Sequence, residues 1–453
     1  MKSVALRNLG CKVNAYEMDV MQHLLQEKGY NIVAFDTCAD IYIVNTCSVT
    51  NIADRKSRQI LHRAKKNNPN ALVVAVGCYV QTGKEAVEKD ECIDLAIGNN
   101  RKKDLIPILE EFLDTMDNQC IEPVIDINHT DEYEEMQLVK TAGNTRAYIK
   151  IQDGCNQFCT YCIIPYARGR VRSRKQEDII KEVKGLVEKG YKEIVLTGIH
   201  LSSYGNDFIK KSVQENKTAD YLEENNEGAF LSLIKEIHQI EYLKRIRLGS
   251  LEPRILTEYF ISELRKLEKT CPHFHLSLQS GCDETLGRMN RRYNASEYYE
   301  KVQLLRKHFT DVAITTDIIV GFPGETQEEF DITKNFIDRI HFYEMHIFKY
   351  SKRQGTKAAV MDHQVPDTIK AARSDELIKK EEQQSKLFRA LFINQSVSVL
   401  MEETKEIEGK IYQLGYSKQY IKVAVESSAN LENQIVQVVP TSFLTNTILL
   451  GQI

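Results

Sequence analysis

The sequence predicts an α/β protein in three parts: a parallel α/β sheet domain, a partial (βα)6 TIM-like barrel, and a small OB-like β-barrel at the C-terminal end. Three observations predict it. Strand and helix patterns alternate through residues 1–124 and, after a polar break at 125–144, alternate again through 145–365. Beyond a charged, helix-permissive stretch at 366–391, residues 392–453 change to short strands separated by turns. At 453 residues the chain is too long for one ordinary domain.

Each element follows from its residues. Ser3 to Leu9 reads as a strand, and Glu17 to Lys28 as a helix with Val20, Met21, Leu24 and Leu25 on one face and Gly29 closing it. Ile41 to Asn45 is the next strand, Ile52 to Lys66 a helix that stops before Pro69, and Leu72 to Val76 a third strand. A βαβαβ series of this kind makes a parallel sheet. Ile125 to Asn144 is acidic and poor in apolar residues, as a linker is. The second series has strands at Tyr148–Gln152, Glu193–Thr197, Arg245–Gly249, Phe274–Leu278, Ala313–Val320 and Glu344–Phe348. Its helices are Ile179–Lys189, Leu231–Gln239, Tyr259–Leu267, Ser296–Phe309 and Glu328–Arg339, the last with a capping box from Thr326 and Glu329. Asn206 to Gly228 is polar and reads as a surface insertion. Pro366 to Leu391 reads as a connecting helix. The final strands are Ser396–Met401, Glu408–Leu414, Tyr420–Val425, Ile435–Val439 and Asn446–Leu450, a set of the general kind that binds oligonucleotides.

Composition narrows the function classes. No apolar run approaches the roughly 20 residues that span a bilayer, and Met1 to Leu9 lacks the apolar stretch of a signal peptide, so a cytoplasmic location is expected. The eleven cysteines then sit in a reducing compartment, where metal ligation or burial explains them better than disulfides. A net charge of −4 excludes a broadly basic nucleic-acid binder but not local basic patches.

The strongest chemical signal is Cys155-Asn-Gln-Phe-Cys159-Thr-Tyr-Cys162. Three thiolates at this spacing wrap three irons of a cubane and leave the fourth open to a small molecule. The loop follows the first barrel strand, at the mouth where TIM-like active sites form. A structural zinc would want a fourth ligand, and no Cys or His lies nearby in sequence. A second constellation is Cys11, Cys47 and Cys78, each just beyond one strand of the first sheet. The C-terminal ends of neighbouring parallel strands lie side by side, so these thiols converge, and shared metal ligation is expected. Cys38, Cys92, Cys120, Cys271 and Cys282 show no such pattern and read as structural.

The Cys155 loop resembles that of the radical S-adenosylmethionine (SAM) superfamily, in which reductive cleavage of SAM gives a 5′-deoxyadenosyl radical. By that resemblance Thr197-Gly198, Ser250, Glu252, Ser277, Gln279 and Gly321, all at strand ends on one rim, are cofactor contacts. Tyr161 is expected to pack on the cofactor or cover the cluster. The contexts Leu9-Gly10-Cys11-Lys12-Val13-Asn14, Asn45-Thr46-Cys47-Ser48-Val49-Thr50 and Gly77-Cys78, with the radical motif and the C-terminal barrel, resemble the methylthiotransferases over essentially the whole chain. The resemblance implies two [4Fe–4S] clusters, one on Cys11, Cys47 and Cys78 and one on Cys155, Cys159 and Cys162. It also implies two SAM per turnover and a TRAM-like C-terminal barrel. Lys150-Ile-Gln-Asp-Gly-Cys155 and Ile163-Ile-Pro-Tyr-Ala-Arg-Gly169 look most like the branch acting on threonylcarbamoyladenosine next to the tRNA anticodon. The alternatives are isopentenyladenosine in tRNA, a ribosomal-protein aspartate, or an iron–sulfur RNA-binding scaffold without turnover. A flavodoxin- or ferredoxin-type electron donor and the iron–sulfur assembly machinery are implied partners; a monomer is expected.

RNA contact has two candidate patches: Arg55, Lys56, Arg58 and Arg63 on the Ile52–Lys66 helix, and Arg168, Arg170 and Arg172 beyond the radical motif. For the first, a solvated helix face stays open. From Phe392 onward the chain has four Lys, six Glu and no Arg, a balance that argues against a barrel gripping RNA.

Overall fold

The computed structural model describes residues 2–115, 124–140, 145–208 and 219–453. The first unit contains β1 (Ser3–Asn8), β2 (Asn31–Val33), β3 (Ile41–Thr46), β4 (Leu72–Gly77) and β5 (Leu95–Ile97), all parallel, in the order β2-β1-β3-β4-β5. Every residue of β3 is buried, as a central parallel strand covered on both faces requires. The helices are α1 (Lys12–Glu27), α2 (Asn51–Asn67), α3 (Cys78–Thr82), α4 (Lys84–Glu88) and α5 (Leu105–Thr115). Helix α1 starts five residues earlier than the apolar stripe predicts. Its first turns bury Asn14 and Glu17 beside Val13 and Tyr16, so the stripe is interrupted by polar groups that are themselves buried.

The second unit contains β6 (Arg146–Asp153), β7 (Arg172–Ser173), β8 (Glu193–Gly198), β9 (Arg245–Leu248), β10 (Ser250–Leu251), β11 (His273–Leu276), β12 (Ala313–Val320) and β13 (Glu344–Lys349). Two four-stranded sheets, β7-β6-β8-β9 and β10-β11-β12-β13, meet where Cys271 donates its amide to the Ile246 carbonyl at 2.9 Å. Strands β6, β8, β9, β11, β12 and β13 form the open six-stranded barrel, and β7 is an antiparallel edge that returns along β6. Its helices are α6 (Ile164–Arg168), α7 (Gln176–Glu188), α8 (Ala219–His238), α9 (Glu258–Arg265), α10 (Asp283–Arg288), α11 (Ala295–His308) and α12 (Gln327–Ile340). The capping box at Thr326 and Glu329 opens α12, and a second, Asn294 with Glu297, opens α11. Of the expected insertion, residues 209–218 lie outside the described residues, as do Cys120 and residues 141–144 of the expected linker.

The acidic stretch read as a linker is packed over its described part. Met136 and Leu138 join a core that also takes Val20 and Met21 from α1, Ile149 and Ile151 from β6, and Val320 from β12. One apolar core thus runs through both units.

Helix α13 (Asp367–Ala390) leads to β14 (Val397–Ile407), β15 (Lys410–Ser417), β16 (Lys422–Glu426), β17 (Ile435–Thr445) and β18 (Ile448–Gln452), a closed barrel in the order β14-β15-β16-β18-β17. It closes the floor of the larger barrel through arginines at strand starts. Arg245 donates to the Tyr416 and Ser398 carbonyls at 2.8 Å each, Arg247 donates to the Lys418 carbonyl at 3.0 Å, and Arg146 pairs with Glu402. Glu403 is paired with Lys422 and Glu426 with Lys410. Three of the barrel's glutamates are therefore neutralised locally, and its acidic balance overstates the charge it shows outside. Among the described residues no helix is long and apolar enough to cross a membrane.

Candidate active site: two strapped cysteine triads

Cys11 caps the start of α1 after β1, Cys47 follows β3, and Cys78 opens α3 after β4. The three strand ends bring the thiols together. A Cβ on Gly10 would lie 2.9 Å from the Cys47 Sγ, and Gly10 sits at φ +98°, so only glycine lets the Cys11 loop approach Cys47. Burial pushes the Cys47 thiol up to about 11, with Cys78 and Cys11 adding to the rise, and Cys11 is raised with Cys78 among the causes.

Cys155, Cys159 and Cys162 lie between β6 and α6. Gly154, at φ +71°, has the Arg170 carbonyl 1.8 Å from where a Cβ would stand, so the entry to this loop also requires glycine. Burial pushes Cys155 up to about 11 and Cys162 higher, again with the neighbouring thiols contributing. Neither triad has its three sulfurs within 4.8 Å of one another; among the described residues the sets that do are His62, Asp90, Cys92 and His275, Asp317, His346. One tetrahedral zinc would hold its thiolates about 3.8 Å apart. The wider spread, with fewer than four protein ligands, fits the corners of a cubane.

Cys11 and Lys12 are solvent-accessible, yet the protein groups around them raise the pKa of the one and lower that of the other.

Three straps tie the first unit to the second, one beside each auxiliary cysteine. Arg168 donates to Asn14 Oδ1 at 2.6 Å, Glu17 Oε1 at 2.9 Å and Asp153 Oδ2 at 3.0 Å, linking the Cys11 turn to the strand that enters the Cys155 loop. Asn99 donates to the Ala167 carbonyl at 2.7 Å and reaches Cys78 Sγ at 3.5 Å. Arg353 donates to Ser48 Oγ beside Cys47 and to Asn51 Oδ1, 2.7 Å each, and to Asp54 at 2.5 Å. Glu17 also pairs with Lys102 and, at 2.7 Å, with Lys150.

The remaining expected residues divide. Tyr161 packs edge-on against Phe322 at 6.3 Å, with Met289, Tyr350 and Ala358 around it, and so covers its loop. Thr197, Gly198, Ser250, Glu252, Ser277 and Gln279 stand at strand ends on the cysteine side of the barrel. Glu252 is held by Arg254 at 2.9 Å, and Gln279, at φ +73°, spends its amide on the Asp317 carbonyl at 2.8 Å. Gly321 donates its amide to Glu325, and Lys370 lies across the position a Cβ would take. Arg168 and Arg172 need correcting as phosphate contacts, because they are 0% and 1% exposed and turned to Asp153. Arg170 is exposed and stacks on Phe158 at 4.4 Å; Arg55, Lys56, Arg58 and Arg63 are exposed on α2, Arg63 pairing with Asp36 at 2.9 Å. Arg291 was not anticipated. Its guanidinium lies 3.4 Å from Cys159 Sγ, donates to the Ser277 carbonyl at 3.2 Å and to the Tyr293 hydroxyl at 2.9 Å, yet no local motif marks it.

The radical SAM superfamily model matches residues 149–337, and that of the uncharacterized protein family UPF0004 matches residues 3–98. The threonylcarbamoyladenosine tRNA methylthiotransferase MtaB of Bacillus subtilis (strain 168) is 40% identical over 410 residues, 90% of this chain and 87% of that protein. The chain belongs to the radical SAM methylthiotransferases. Another similar methylthiotransferase relative is the tRNA-2-methylthio-N(6)-dimethylallyladenosine synthase of Thermoanaerobacter sp. (strain X514), 37% identical over 88% of this chain and 81% of its own length. The radical SAM methyltransferase TsrM of Kitasatospora setae shares the fold, with a TM-score of 0.55 at 15% identity over 80% of this chain and 75% of that one. Radical SAM methylthiotransferases carry two [4Fe–4S] clusters and use SAM, and the two triads are the cysteine sets that fit them.

Proposed function

We propose that this methylthiotransferase acts in the cytoplasm on tRNA and places a methylthio group on carbon-2 of N6-threonylcarbamoyladenosine next to the anticodon. The observation that carries the reading is the pair of cysteine triads strapped to each other by Arg168. When bound, the clusters and SAM supply the hydrogen-abstracting radical and the methylthio group that an unactivated aromatic C–H requires.

The chain's own residues hold and orient. Cys155, Cys159 and Cys162 hold the radical-generating cluster, and Cys11, Cys47 and Cys78 the sulfur-donating one. Arg168, with Glu17 and Asp153, sets the distance between them, which matters because the abstracted hydrogen and the incoming sulfur share one carbon. Tyr161 and Phe322 shield the Cys155 loop from water. Arg170 and the exposed cations of α2 supply phosphate contacts.

The test is mass spectrometry of tRNA nucleosides from the host with and without the gene. Loss of 2-methylthio-threonylcarbamoyladenosine with build-up of its precursor is the expected result. An unchanged level overturns the assignment, and loss of a dimethylallyladenosine derivative instead transfers it to the other substrate.

A further inference from the structure

Cys92 is half-buried and belongs to neither triad. It stands in the turn between α4 and β5, where the Ile93 amide donates to the Asp90 carbonyl at 2.9 Å and the Cys92 amide to Asp90 Oδ1 at 3.1 Å. From α2, His62 brings its Nε2 to 2.8 and 3.0 Å from the two Asp90 carboxylate oxygens. One ligand atom each from His62, Asp90 and Cys92 lies within 4.8 Å of the other two. The turn precedes β5, which runs parallel to β4, so this cluster sits at the N-terminal edge of the first sheet. The auxiliary cysteines follow their strands and sit at the opposite edge.

Charge and chemistry both favour a cation here. Two cations that follow His62 on α2 are already matched, Arg63 by Asp36 at 2.9 Å and Lys65 by Asp94 at 2.8 Å. Burial raises the Cys92 thiol above its usual range, and the charges of Asp90, Asp94 and Glu91 add to the rise against that of Lys65. A bound dication would reverse that balance and hold the thiolate. A thiolate, an imidazole and a carboxylate suit zinc, whereas magnesium and calcium take oxygen ligands. Zinc bonds set such ligand atoms about 3.3–3.8 Å apart, so the His62–Asp90 pair opens slightly to admit the ion. The His62 side chain, 53% exposed, is free to make that move.

We propose that His62, Asp90 and Cys92 form a three-ligand site for a zinc-class divalent cation at the N-terminal edge of the first sheet, with water at the fourth position. The ion bridges α2 to the turn before β5. It braces the far part of the helix that Arg353 grips through Asn51 and Asp54, about 16 Å along the axis from Asn51.

The test starts from anaerobic enzyme loaded with both clusters, so that the triads are filled. Zinc chloride is added, the protein is desalted, and its metals are counted by mass spectrometry. Wild type is expected to keep about one zinc per chain beside its full iron, with one sulfur among nitrogen and oxygen neighbours in zinc X-ray absorption. Cys92→Ser and His62→Ala each lower zinc affinity by at least about tenfold and leave iron content and 5′-deoxyadenosine release unchanged. Cys38→Ser, at an exposed thiol outside the set, binds zinc as wild type does. Zinc raises the melting temperature of wild type and not that of Cys92→Ser, because the ion binds only the folded arrangement. Zinc that stays with Cys92→Ser, or that shows no sulfur neighbour, overturns the site. So does zinc that enters only as iron leaves, which would place it in the triads, and so does displacement by equimolar magnesium. A wild type that retains no zinc leaves His62 and Asp90 as a surface ion pair and overturns the proposal outright.

Discussion

At the scale of single residues, the structure turns on charges buried where sequence alone places them at the surface. Burial alone would push the Glu17 carboxyl up, but Arg168, Lys102 and Lys150 outweigh it and hold it well below the usual carboxylate range. Asp153 is lowered the same way by Arg168, Lys150 and Arg172 against its burial. Glu193, against its burial, is held at about 2 by Arg247, Arg146 and Arg245. A carboxylate with a depressed native pKa stabilises the fold above its unfolded pKa of about 4, and that contribution is lost as pH falls. The urea midpoint is therefore expected to drop steeply below about pH 4. A midpoint that stays flat to pH 3 would contradict the network. Arg168→Met leaves Glu17 and Asp153 short of a cation and is expected to cost about 3–5 kcal/mol in equilibrium denaturation.

At the scale of elements, the turn before α1 is the sharpest test of the auxiliary site. Gly10→Ala forces a methyl group toward Cys47, so reconstitution is expected to yield about four irons per chain instead of about eight, measured by iron assay. Replacing Cys11, Cys47 and Cys78 by Ala is expected to leave release of 5′-deoxyadenosine from SAM and to abolish methylthiolation, with both products followed by mass spectrometry. Much of this was legible in sequence. The apolar runs Ile41–Val44 and Val73–Val76 announce central parallel strands, and the cysteines beyond them announce a site at the strand ends. The start of α1 was hidden because Asn14 and Glu17, buried against partners far away in sequence, break its apolar stripe. The β7 edge was hidden because two residues carry no period. Arg168 reads locally as one of a cationic run, and only the folded chain sets it beside Glu17, 151 positions earlier.

At the scale of the whole molecule, the C-terminal barrel is a structural floor as much as an accessory. It satisfies Arg146, Arg245 and Arg247 at the bottom of the larger barrel. Deleting residues 392–453 would bare those three cations and the buried Glu193 between them. The truncated chain is expected to melt several degrees lower even with both clusters loaded, as read by calorimetry. A truncated chain with unchanged melting would reduce the small barrel to a tethered module.

The three straps also dictate an order of events during biogenesis. The turns around Cys11, Cys47 and Cys78 take their shape from Arg168, Ala167 and Arg353, which belong to the other unit. A nascent chain that has emerged only as far as α5 holds the auxiliary cysteines without the groups that set them. The groups that brace that triad are therefore complete only once translation has passed Arg353.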